Sequence, residues 1–178
     1  MQKPWNRGYV QLYTGDGKGK TTAALGLALR AAGHGLRSYI GQFAKGRPSG
    51  EHEAVPSLGG LINIERYGSG RFLGGAPPPD PAEVARAREG LARARAAMLS
   101  GDYRIVVLDE VCVAIRFGLL SVAEVLALIR DKPGAVELIL TGRGAPPELV
   151  AAADLVSEVR AVKHYLDQGI EARKGVEE

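Results

Sequence analysis

In Thr14-Gly15-Asp16-Gly17-Lys18-Gly19-Lys20-Thr21-Thr22, three glycines alternate with charged residues ahead of a lysine and two hydroxyls. These types at this spacing suit the binding of a phosphate chain. Glycines let successive backbone N–H groups turn inward without Cβ clashes and form an anion nest. A helical pattern follows at once in Ala23, Ala24, Leu25, Leu27, Ala28 and Leu29. Its N-terminus adds roughly half a positive charge at the same spot. Lys20 supplies a mobile point charge, and the Thr21 hydroxyl is placed to bind a magnesium ion held by the same phosphates. A second constellation is Asp109-Glu110, at the end of the apolar run Ile105-Val106-Val107-Leu108. Beside a phosphate loop, such an acidic strand end anchors magnesium or its water shell. The alternative for the pair is a helix cap or an ordinary surface pair.

The elements that must position these residues are legible around them. Val10, Leu12 and the neighbouring tyrosines form a strand that leads into the glycine run. Strand, glycine-rich turn, Gly-Lys-Thr and helix make a phosphate-binding loop. The usual spacing has a glycine five residues before Gly19; here that residue is Thr14, so a tighter loop is expected.

The 178 residues suit one domain, 1–178, with a short N-terminal arm (1–7) and a polar C-terminal tail (163–178). No apolar run approaches ~18 residues, so no membrane partner is expected. Met1 to Arg7 holds no hydrophobic signal segment, and the single cysteine, Cys112, excludes an intrachain disulfide; both point to the cytoplasm. The net charge of +3 fits an anionic ligand such as ATP. Nucleic acid is not expected as a partner, because the basic residues are spread without a long run.

Further along, Lys20 to about Ala32 reads as a helix stopped by Gly33 and Gly35, which bracket a solvated His34. Ser38–Phe43 reads as a strand and 44–53 as a loop, either a binding loop at the carboxyl edge of the sheet or a plain surface loop. Leu61–Tyr67 is the next strand, followed by a glycine-rich loop carrying Phe72 and Leu73. Asp80 caps a helix over about 81–99, whose Val84, Ala87, Leu91, Ala94 and Met98 recur as a docking face. Arg104 to Glu110 forms a strand buried on both faces. Ser121 and Glu124 form a capping box for a helix over 122–130. A strand over 136–140, a short helix over 147–153 and an edge strand over 155–162 complete the pattern. His164 reads as a solvated turn residue, with ligand contact the alternative. Alternating strands and helices predict an α/β fold: a three-layer sandwich with a mostly parallel central sheet, P-loop NTPase-like and RecA-like.

Several segments together resemble the P-loop class of ATP:corrinoid (cob(I)alamin) adenosyltransferases. They are the tight loop Thr14 to Thr22, Gly41-Gln42-Phe43-Ala44-Lys45-Gly46, Val107-Leu108-Asp109-Glu110, Phe117-Gly118-Leu119-Leu120 and Leu140-Thr141-Gly142-Arg143. Ala153 to Glu158, Val162-Lys163-His164 and Ala172 to Glu177 extend the match over nearly the whole chain. The resemblance implies that Co(I) of a corrinoid attacks the 5′ carbon of ATP, that adenosine joins cobalt and that tripolyphosphate leaves. It implies that Lys20, Thr21 and Glu110 carry the reaction and that Thr21 and Glu110, with Asp109 beside them, hold Mg2+. It implies that Thr14, Gly15, Asp16, Gly17, Lys18, Gly19, Thr22 and Arg143 bind the nucleotide. Phe72 becomes the candidate for the corrinoid's lower face; Arg71-Phe72-Leu73 replaces the Phe-x-Trp of some members. Further partners implied are an electron donor that makes Co(I), for which a flavoprotein is a candidate, and a second copy in a homodimer. Two rivals share the phosphate elements: a small-molecule kinase or NTPase, and a non-catalytic ATP-binding sensor.

Overall fold

The computed structural model describes residues 5–46, 48–69 and 79–177. Six strands form one sheet: β1 (Val10–Thr14), β2 (Ser38–Phe43), β3 (Ile62–Tyr67), β4 (Ile105–Asp109), β5 (Glu137–Thr141) and β6 (Leu155–Glu158). Their order is β3-β2-β4-β5-β1-β6. Every strand pair is parallel, so each connection crosses over, and helices end up on both faces. The helices are α1 (Lys20–Ala32), α2 (Gly50–Ala54), α3 (Pro81–Leu99), α4 (Val111–Arg116), α5 (Val122–Arg130) and α6 (Pro147–Ala152).

The period of two along β4 divides the core. Ile105 and Val107 pack with Ile40, Ile62, Ile139 and the alanines of α1 (Ala24, Ala28, Ala31). Val106 and Leu108 face the other way, toward Ala87, Ala94 and Met98 of α3, Val111 of α4, Val125 and Leu128 of α5 and Leu149 of α6. Helix layer, sheet and helix layer follow, as expected. No helix among the described residues is long and apolar enough to cross a membrane.

Local signals held where their chemistry is local. Asp80 Oδ1 accepts from the Ala82 N–H at 2.8 Å, and the Ser121–Glu124 capping box forms with a 2.8 Å bond from Ser121 N–H to Glu124 Oε2. Two expectations need correction, and one further helix appears. The 44–53 loop contains α2, a short helix that starts on a glycine and has no apolar period. Helix α4 follows Glu110 directly; its buried Val111, Cys112 and Ala114 lack an amphipathic rhythm. The last strand stops at Glu158 rather than running to 162, because Val159 and Arg160 leave the sheet to pack on the phosphate loop.

Helix α3 lies close on the sheet because Gly90 faces Tyr67. A Cβ at Gly90 would fall 2.5 Å from Tyr67 Cγ and 2.9 Å from its Cβ. Tyr67 cannot yield: its hydroxyl sits 2.9 Å from that of Tyr39 and also donates to Glu65. Gly90→Ala should therefore destabilise the protein by about 1–3 kcal/mol through overpacking, outweighing the ~1 kcal/mol that alanine gains in helix propensity. Urea denaturation measures the sign, and a stabilised variant would contradict the close packing.

Candidate active site

The phosphate loop turns between β1 and α1. Gly19, the residue before α1, has φ 123°, and no side chain caps the helix. The first N–H groups of α1 thus need an outside acceptor. The chain leaving β6 presses against the loop. Gly17 N–H donates to Val159 O at 2.8 Å, and Val159 N–H donates to Thr14 O at 2.8 Å. A Cβ at Gly15 would meet Val159 O at 2.4 Å, and one at Gly17 would meet Arg160 C at 2.7 Å. Both glycines are demanded by this backbone-to-backbone approach.

A cavity of about 490 Å³ opens in front of the loop. It is lined by the loop and the start of α1 (Gly17 to Thr22), by Glu110 and Arg143, by Lys45 and Glu51, and by His164, Gly175, Val176 and Glu177 of the C-terminal tail. Of the residues expected to bind the nucleotide, Thr14, Gly15 and Asp16 lie behind this wall, on the loop but off the cavity surface. Phe72 lies outside the described residues.

Lys20 is buried, and its ammonium donates to the carbonyls of Gly15 at 2.6 Å and Gly17 at 2.7 Å. Burial pulls its pKa below the ordinary lysine value, against the opposing charge of Glu110. Glu110 has φ 59°, a strained left-handed conformation for a residue with a Cβ. Its N–H donates to Thr141 Oγ1 at 2.8 Å. Burial, reinforced by Asp109, pushes the Glu110 carboxyl upward, while Lys20 and Arg143 oppose the shift.

Asp109 lies beneath the cavity, fully buried. Its Oδ1 accepts from Thr21 Oγ1 at 2.9 Å and from Thr141 Oγ1 at 2.7 Å, and its Oδ2 accepts from Gln42 Nε2 at 3.2 Å. Strand β5 separates β4 from β1, and Thr141, at its end, fills the gap between acid and loop. Spacing along the chain could not reveal Thr141 or Gln42 as partners; strand order creates both contacts. With its proton committed to Asp109, Thr21 Oγ1 offers a lone pair toward the cavity. Thr21, Glu110 and Asp109 are hard oxygen donors and fit Mg2+, which takes one or two carboxylates and completes its shell with phosphates and water. Among the described residues there is no group of three His, Cys, Asp or Glu that could hold a metal ion.

The C-terminal tail completes the lining. Lys18 Nζ donates to Val176 O at 2.9 Å and lies 3.7 Å from Glu177. Arg173 and Tyr165 fold the tail back by donating to Glu177, and hydrogen bonds from Arg173 lead those that hold the Glu177 carboxyl down at about 2. His164 is indeed a turn residue, its Nδ1 accepting from Leu166 N–H at 3.1 Å, yet it lines the cavity as well. Cys112 lies buried under Gly142; burial, with Glu110 adding, pushes its thiol up to about 12, so it is no nucleophile.

A family model described as ATP:corrinoid adenosyltransferase BtuR/CobO/CobP matches residues 6–177. The corrinoid adenosyltransferase of Pseudomonas aeruginosa is 36% identical over 172 residues, 96% of this chain and 84% of that protein. That of Escherichia coli K12 is 34% identical over 172 residues, with 96% and 86% covered. Corrinoid adenosyltransferase CobA of Salmonella typhimurium is 35% identical, with the same shares covered. Among solved structures, the KaiC-like protein PH0186 from Pyrococcus horikoshii superposes with a TM-score of 0.55 at 18% identity, over 85% of this chain and 73% of that one. That likeness bears on the fold, which is P-loop NTPase-like and RecA-like.

The charge state of Glu110 can be tested through stability. An acid whose folded pKa is raised costs stability once the unfolded chain can ionise. Glu110→Gln should therefore raise the melting temperature of the nucleotide-free protein by a few degrees at neutral pH. The gain should fade as pH falls through the ordinary glutamate range, where the wild-type carboxyl is protonated in both states. Thermal melts at about pH 4 and about pH 7 check this; a variant less stable at neutral pH would show that the ionised carboxylate is held favourably.

Proposed function

This chain belongs to the ATP:corrinoid adenosyltransferase family, and we infer that it carries that activity: it transfers the 5′-deoxyadenosyl group of ATP to Co(I) of a corrinoid and releases tripolyphosphate. The cobalt electron pair forms the Co–C bond as the C5′–O bond breaks, and that bond's pair leaves with the tripolyphosphate oxygen. Such a nucleophile needs no general base, so the protein's tasks are alignment and stabilisation of the departing charge.

The observation that carries this reading is the convergence of Lys20, Thr21, Glu110 and Arg143 with the uncapped end of α1 on one cavity. We assign the loop amides of Gly17 to Thr22 and the Lys20 ammonium to the triphosphate. To reach it, Lys20 gives up the Gly15 and Gly17 carbonyls, an exchange of neutral acceptors for charged ones. Asp109 orients the Thr21 hydroxyl, and Thr21 and Glu110 would hold Mg2+. When bound, that ion neutralises charge on the phosphate oxygens. Arg143, exposed at the cavity rim, adds a further cation. Phe72 stands as the corrinoid-facing candidate from the resemblance alone. A separate electron donor, with a flavoprotein as candidate, supplies Co(I). A single domain, a cytoplasmic setting and a homodimer complete the reading, the last in keeping with the commonest oligomer.

An anaerobic reaction with Mg-ATP and chemically reduced cobalamin should yield a light-sensitive Co–C product and tripolyphosphate in equal amounts. ADP and phosphate as products would turn the reading to a phosphotransferase or NTPase; bound but intact ATP would turn it to a sensor. Lys20→Ala should lower the transfer rate by roughly a hundred-fold or more, the scale of removing one group that stabilises transition-state charge, with its melting transition retained. Near-native transfer by this variant would remove Lys20 from the triphosphate site.

A further inference from the structure

We propose that Lys45 is a further polyphosphate-binding residue, parked on Glu51 until the nucleotide enters and then transferred to the phosphates. This rests on the assignment of the cavity to ATP and tripolyphosphate. Lys45 and Glu51 both line that cavity, together with the phosphate loop. Lys45 Nζ lies 2.7 Å from Glu51 Oε1, and the side chains keep 30% and 17% of their surface exposed. The pair is therefore open to a ligand, not sealed in the core.

The backbone beneath Lys45 is held at some cost. Ala44 has φ 56°; with Glu110 it is one of two non-glycine residues in the left-handed region among those described. Both flank the cavity, and strain of this kind gathers at functional sites. Gly68 locks the turn from the other side: a Cβ there would lie 2.8 Å from Lys45 N and 2.9 Å from Ala44 C. A fixed base under a long flexible arm lets the ammonium move by rotamer change alone.

Glu51 is equally well anchored. Gln42, wholly buried, donates from Nε2 to Glu51 Oε1 and to Asp109 Oδ2, each at 3.2 Å. The reversed amide would set its oxygen against two carboxylates, so the orientation is fixed. Glu51 thus keeps a donor when Lys45 departs. Burial raises the Glu51 carboxyl, but the Lys45 hydrogen bond leads the effects that bring it down to about 2, so it stays ionised as a counter-charge. Lys18 and Lys20 show the same habit, each with its ammonium on main-chain carbonyls. Lys45 differs in having a carboxylate as its holding partner, and that makes its release testable.

The test is calorimetric titration of the protein with magnesium and inorganic tripolyphosphate, with no corrinoid present. Lys45→Met, which keeps the apolar stem, should weaken binding roughly ten- to a hundred-fold, the worth of a charge-assisted hydrogen bond. Glu51→Gln should tighten binding, because it frees Lys45. Most of that gain should disappear when Glu51→Gln is combined with Lys45→Met. Unchanged affinity in folded Lys45→Met, weaker binding in Glu51→Gln, or a gain that persists in full in the double variant would each overturn the proposal. The last outcome would show that Glu51 acts only by repelling phosphate. Wild-type protein that fails to bind tripolyphosphate would overturn the phosphate assignment and this proposal together, whereas wild-type binding with an unaffected Lys45 variant overturns this one alone. Should Glu51→Gln fail to fold, Lys45→Arg decides the matter: retained affinity supports a charge contact, and a loss equal to that of Lys45→Met counts against it.

Discussion

The site depends on one buried carboxylate. Asp109 receives Thr21 from the phosphate loop, Thr141 from β5 and Gln42 from β2. Those donors belong to three elements, and β4, which carries Asp109, is the fourth. A buried charge is tolerable only when hydrogen-bonded, so Asp109 obliges these elements to meet with their side chains aligned. Truncating Thr141 would leave Asp109 Oδ1 with one donor fewer and also strip the Glu110 N–H of its acceptor. The strained residue beside the cavity is thus supported by the same hydroxyl that satisfies the buried acid.

Around that centre three cavity lysines have partners within the protein. Lys20 rests on loop carbonyls, Lys18 on the tail and Lys45 on Glu51. Glu110 carries a carboxyl raised by burial, with the charges of Lys20 and Arg143 opposing the shift. On the proposed function, Lys20 and Lys18 would exchange neutral carbonyls for charged acceptors, which bind more strongly, while Lys45 would exchange one charged acceptor for another. Ligand entry is then an exchange of partners within a largely preformed frame.

Much of this was legible in the chain. Glycines at 15, 17 and 19, followed by Lys20 and Thr21, declare a phosphate loop because few other tasks require that order. Asp80 and Ser121 announce helix starts because a cap is a local bond. Gln42 and Thr141 became visible as partners of Asp109 only when strand order brought β2, β4 and β5 together, whereas the Lys45–Glu51 pair is near in sequence but depends on the turn at Ala44 and on α2. Helices α2 and α4 escaped for a different reason: each is under two turns long, too short to show a period. The alternation after Glu158 suggested a longer strand, but the backbone there serves the loop instead of the sheet.

That last feature bears on the order in which the protein comes into being. The brace behind Gly15 and Gly17 is Val159–Arg160, more than 140 residues downstream of the loop it supports, and its strand, β6, is the last to join the sheet along the chain. During synthesis from the N-terminus the loop emerges early and stays without its brace until almost the whole chain has been made. If the loop closes only around this late segment, nucleotide binding would report on completed folding, since a chain interrupted before Leu155 would carry the proposed phosphate-binding residues without the backbone that packs against them.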